Sequence, residues 1–141
     1  MKYAVLVYHE EAKMMALGDD ELKGLIQECA AWIDELERGS RHVFSAGLQA
    51  AATATTLRKR QGTISATDGP FAETREFFGG LTIVEARDLN EAIQLAAKHP
   101  VLAVASLEVR PAIDFNLDMA EPLDQKIARA GRKIPQEKLH A

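Results

Sequence analysis

The chain has 141 residues, 47% hydrophobic and 27% charged, which is the size and balance of one globular domain with a single core. Its net charge of −4 lacks the basic excess of a nucleic-acid binder, and its one basic run, Arg58-Lys59-Arg60, reads as a solvated hairpin tip. A single cysteine, Cys29, excludes an intramolecular disulfide, no apolar stretch nears the ~20 residues that span a bilayer, and no cleavable leader pattern precedes the first strand, so a cytoplasmic protein is expected.

"YAVLVY", residues 3–8, is a continuous apolar run of strand length. Asp19 and Asp20 offer an N-cap to a helix over about residues 20–38. Its apolar face is Leu22, Leu25, Ile26, Cys29, Ile33 and Leu36, and Gly39 supplies the stop. "HVFSAGL", residues 42–48, is a second strand, and "TATTLRKRQGTISA", residues 53–66, is a hairpin about a glycine-containing turn.

Asp68-Gly69-Pro70 then forces a corner, and "FFGGLTIVEA", residues 77–86, is a strong strand in which Gly79-Gly80 permit a bulge or close backbone approach. Asp88 and Glu91 fit a capping box for a helix lined by Leu89, Ile93, Ala96 and Ala97 and stopped near His99-Pro100. Val101 to Arg110 is the last strand. The tail, residues 113–141, is charged and helix-like only around Leu123 to Ala130, and reads as an arm beside a 1–112 domain.

The order β-α-β, hairpin, β-α-β predicts an α+β, ferredoxin-like split β-α-β fold with an inserted β-hairpin. Two helices cover one sheet face, yet three strands are apolar at both parities. A second copy of the chain, packed sheet on sheet, is the expected cover, hence a homodimer.

The four histidines, His9, His42, His99 and His140, are dispersed, which gives no metal-ligand spacing. No phosphate loop is present, and Cys29 on an apolar helix face reads as inert packing. No cofactor is expected. The chemistry-bearing density lies in the corner and after it: Asp68, Phe71, Glu73, Arg75 and Glu76. One reading is architectural, with Asp68 capping, Phe71 plugging the core, and "PFAETRE" forming one or two helical turns with Pro70 first. The other is the rim of a cleft, in which Arg75 grips an anionic ligand.

"TDGPFAETREFFGG", the helix "DLNEAIQLAAKHP", the closing "LEVRP", the opening "MKYAVLVY" and "SAGL" at residues 45–48 resemble DGPF-domain proteins of the YCII-related superfamily. The resemblance covers about residues 1–112 and implies a dimeric α+β barrel with the DGPF segment bordering a cleft near the dimer interface. Most such proteins have no established activity, and their association with extracytoplasmic-function sigma factors implies a regulatory role. Some wider relatives are enzymes that use a His–Asp dyad, with the histidine on the first helix. Here that helix has Asp34 but no histidine, and His9 or His42 would have to substitute. Arg75 stands where a lysine is usual after "DGPFAET", which favours a planar, bidentate partner.

Two functions are therefore expected in competition. The first is a small-molecule-binding or regulatory dimer whose ligand meets Tyr8, Asp68, Phe71, Glu73, Arg75, Glu76 and His99, with no nucleic acid or membrane partner. The second is a cofactor-free isomerase, lyase or dehalogenase acting on a small cyclic or carbonyl substrate. In it Asp68 or Glu73 is the base, His9 or His99 the acid–base partner, and Arg75 the anion holder.

Overall fold

The structure is a computed structural model that describes residues 1–113 together with Pro122 and Gln125. The expected arm and its helix-like stretch around Leu123 to Ala130 otherwise lie outside the described residues. Among the described residues six strands and three α-helices follow in the order β1 (Lys2–His9), α1 (Glu11–Met15), α2 (Asp19–Arg38), β2 (His42–Gly47), β3 (Thr55–Arg60), β4 (Thr63–Asp68), β5 (Phe77–Glu85), α3 (Leu89–Ala96) and β6 (Ser106–Pro111). A four-stranded antiparallel sheet runs β2-β5-β1-β6, and β3-β4 form a separate hairpin. This is the α+β, ferredoxin-like arrangement with its inserted hairpin.

The core lies between the sheet and the helices. Tyr3 and Val5 on β1 and Val84 on β5 meet Trp32 and Leu36 of α2 and Ala92 and Ala96 of α3. Val5 and Val84 are 0% exposed, each burial contributing about 1.5–3 kcal/mol. The α3 face is rotated from the expected one: Ala92 is buried and Ala97 is exposed. Alternation turns Ala4, Leu6 and Tyr8 of β1, with Ile83 of β5 and Phe44 of β2, to the opposite face. There Phe44 is 54% exposed and Phe78 39%.

Several local expectations are corrected. Gly18, not an aspartate, is the N-cap of α2, and Asp19 and Asp20 lie within its first turn, where they favour the helix through its dipole. Val101 does not begin the last strand, because Pro100–Ala103 form a 3-10 turn and β6 starts at Ser106. Helix α1 is short and polar at its start, too brief for a periodic signal. Among the described residues no helix is long and apolar enough to cross a membrane.

The α2 stop is a Schellman motif one residue later than a glycine stop requires. The Arg41 N–H donates to Leu36 O (2.8 Å) and the Ser40 N–H to Glu37 O (3.0 Å). Ser40, at φ 56°, takes the left-handed position, while Gly39 at φ −84° does not. A side chain is strained there. Ser40→Gly is therefore expected to raise stability by about 0.5–1 kcal/mol in urea unfolding, the relief of strain exceeding the entropy that glycine adds to the unfolded chain.

Candidate functional site

Helix α2 packs tightly only over its second half. Its first half lies over strand positions that carry no side chains, Gly47 of β2 and Gly79 and Gly80 of β5, and the sheet cannot fill the space beneath the helix. The result is a cleft of about 490 Å³. Leu22, Leu25, Ile26, Cys29 and Ile33 form its roof, and Val7, Val101 and Met14 complete the apolar walls. Among the described residues none that lines it is Asp, Glu, Lys or Arg.

Its polar groups are few and placed apart. His9, the last residue of β1, lies beside Gly79, where a Cβ would fall 2.6 Å from the imidazole Cε1, so the ring occupies a notch that only glycine leaves open. Gly79-Gly80 also accommodate the bulge at which β1 shifts register on β5 between Val7 and Tyr8. The His9 Nδ1 is enclosed and meets no hydrogen-bond partner among the described residues, a state that costs about 1–3 kcal/mol. On the β2–β5 wall, Ser45 and Thr82 share a hydrogen bond of 2.9 Å.

His99 also lines the cleft but is a structural group. It is buried, its ring stacks on Trp32 with centroids 4.2 Å apart, and its Nδ1 accepts the Val101 N–H at 3.2 Å. Burial lowers its pKa from 6.5 to about 4, so the neutral ring carries its proton on Nε2. Burial likewise pushes the Cys29 thiol up, which keeps it protonated and unreactive.

The corner residues do not join this cleft. Asp68, Glu73, Arg75 and Glu76 are exposed and Phe71 is 79% exposed, so Phe71 does not plug the core. Residues 71–76 form bends and no helical turn. The turn rests on Gly69 (φ 101°), whose N–H donates to Ala54 O at 2.7 Å and whose carbonyl accepts the Thr56 hydroxyl at 2.8 Å. Asp68 supplies no cap among the described residues. Arg75 pairs with Glu10 at 3.2 Å, next to His9, which ties the corner to the start of α1. Tyr8 faces away from the cleft and lies beside Phe78, ring centroids 5.7 Å apart. Of the expected site residues, the structure brings only His9 and His99 together. In the sequence Ser45, Thr82 and the α2 roof have only the pattern of strand and core, and the signal for a cleft is the glycines opposite a long apolar helix.

Residues 1–116 match the YCII-related domain. The chain belongs to the YCII-related family. An uncharacterized protein from Rhizobium meliloti (strain 1021) is 31% identical over 113 residues, which cover 79% of this chain and 91% of that one. This family member has no metal cluster among its described residues: no three of His, Cys, Asp and Glu converge.

The unfolded chain protonates His99 at its ordinary pKa of 6.5, the folded one only near 4. Between those values the unfolded state binds the extra proton, so the stability held above pH 6.5 drains as pH falls towards 4. A loss on the order of 2 kcal/mol is expected in urea unfolding across that window, absent in His99→Gln.

Proposed function

We propose that this YCII-related chain is a DGPF-type, dimeric small-molecule-binding protein whose ligand occupies the cleft beneath α2. The observation that carries the reading is the enclosed, unpartnered Nδ1 of His9 at an apolar cleft of about 490 Å³. Binding sites of this size are mostly apolar with a few placed polar groups. A ligand that donates one hydrogen bond would remove the penalty at His9. The lack of charge on the lining favours an uncharged molecule, and neither Arg75 nor Glu73 is among the lining residues. A binding protein of this kind suits the regulatory role that the sigma-factor association of DGPF-type chains implies.

The uncharged dye N-phenyl-1-naphthylamine, with its single N–H donor, is expected to bind once per chain with a rise in fluorescence. His9→Leu should weaken it roughly 5- to 10-fold, the value of one hydrogen bond. Gly79→Ala, which drives a methyl into the imidazole, should weaken it as well. A dye that does not bind, or binds both variants as tightly as the parent, defeats the reading.

A cofactor-free proton-transfer enzyme is the second reading, and His9 alone favours it. His9 lines the cleft, and its Nδ1 meets no hydrogen-bond partner among the described residues. Asp68 and Glu73, exposed and away from the cleft lining, do not support a role as base.

The uncovered sheet face supports the homodimer. Phe44, Phe78, Tyr8 and Leu6 present an apolar surface that a second copy would cover, and a cytoplasmic location suits such an assembly. Phe44→Glu is expected to shift sedimentation velocity from two chains to one, and an unchanged value would reject this face as the interface.

A further inference from the structure

The bulge in β2 brings together two side chains that a regular strand would separate. His42 pairs with Val84 and Phe44 with Ile83, leaving Val43 as an extra residue. Without it, positions 42 and 45 would point to opposite faces. With it, His42 and Ser45 share the face that looks towards α2, and His42 Nε2 lies 2.8 Å from Ser45 Oγ. On its other side His42 Nδ1 lies 3.6 Å from the Glu37 carboxylate, which the Schellman turn at the end of α2 places there. Ser45 in turn lines the cleft, and the Thr82 hydroxyl stands 2.9 Å from its oxygen.

We propose that Ser45 is the nucleophile of an acyl-transfer site in the cleft beneath α2, with His42 as its base and Glu37 as the group that orients His42, acting on uncharged esters with a small apolar acyl group. A hydroxyl within hydrogen-bond reach of an imidazole that a carboxylate orients is the arrangement that makes serine nucleophilic. The inference rests on the cleft being a binding site.

The Ser45 oxygen attacks the ester carbonyl carbon as its proton passes to His42 Nε2. The Thr82 hydroxyl, 2.9 Å from the Ser45 oxygen, would be the neighbouring side-chain donor to the oxyanion that forms. The carbon–oxygen bond to the alcohol then breaks, and the departing oxygen takes the proton from Nε2. Water attacks the acyl-Ser45 carbon and gives its proton to Nε2. The bond to Ser45 breaks and the serine oxygen recovers that proton. Ester and water become acid and alcohol, with no other reactant. The apolar roof would hold the acyl group, and the lack of charged lining explains the preference for an uncharged one. Glu37 is a positioning residue: its loss should lower kcat and leave KM unchanged.

The test uses the full chain with a fluorophosphonate probe and with p-nitrophenyl butyrate. One phosphonyl group is expected on Ser45 by mass spectrometry. Hydrolysis should fall at least about 100-fold in Ser45→Ala and in His42→Gln, while Ser45→Ala keeps the parent's circular dichroism and urea-unfolding midpoint and so remains folded. An unlabelled Ser45, or hydrolysis that survives in Ser45→Ala, overturns the proposal. If the dye binds in that case, the binding reading stands and only the acyl-transfer site is lost. If the dye fails as well, both fall.

Discussion

Close packing requires every volume beneath a helix to be filled by side chains, and this sheet does not supply them. Under the second half of α2 it offers Tyr3, Val5 and Val84, and the core closes around Trp32 and Leu36. Under the first half it offers Gly47, Gly79 and Gly80, and the same helix face becomes a roof. The division between core and cleft is set by what stands opposite α2, because the helix is apolar along both halves. The neighbouring features follow from it. The His9 ring fits only where Gly79 has no Cβ, and an added Cβ at Gly80 would lie 3.0 Å from the Ala46 carbonyl oxygen.

His99 joins the two regions. One side of its ring stacks on the core tryptophan, and the residue also lines the cleft. Its Nδ1 caps the 3-10 turn that carries Val101 to the wall. Core, turn and cleft wall thus share one neutral imidazole. The α3 start is held in a similarly economical way. Asp88 accepts the Glu91 N–H at 2.8 Å, and the Glu91 carboxylate accepts the Arg87 N–H at 2.6 Å and pairs with Arg41 at 2.6 Å. The Arg87 amide and the two arginines hold that carboxyl below its ordinary pKa.

The architecture was legible because its signals are periodic. The apolar run of β1, the face of α2 from Leu22 to Leu36 and the capping pair Asp88 and Glu91 each act through nearest neighbours along the chain. The site was legible only in part. The density of charge after Asp68 drew attention to the corner, yet Phe71, Glu73 and Glu76 face solvent, since the hairpin holds the corner through backbone groups at Gly69. Local density records that polar groups are close in sequence and says nothing of which way a bend turns them. The cleft depends on Gly47 and Gly79-Gly80 meeting α2 across the sheet, a coincidence of register. His42 and Ser45 required knowledge of a single extra residue, Val43, that no period reveals. The family membership and the fold agree on the part of the chain that periodic patterns describe.

The β2 bulge has a second effect. β2 lies at one edge of the sheet, where unpaired backbone groups invite another strand to add. An extra residue at Val43 breaks the regular repeat of donors and acceptors along that edge and increases its twist. A chain approaching in extended form would meet a ladder out of step with its own. The irregularity that turns His42 towards Ser45 therefore also guards the sheet against fibrous aggregation.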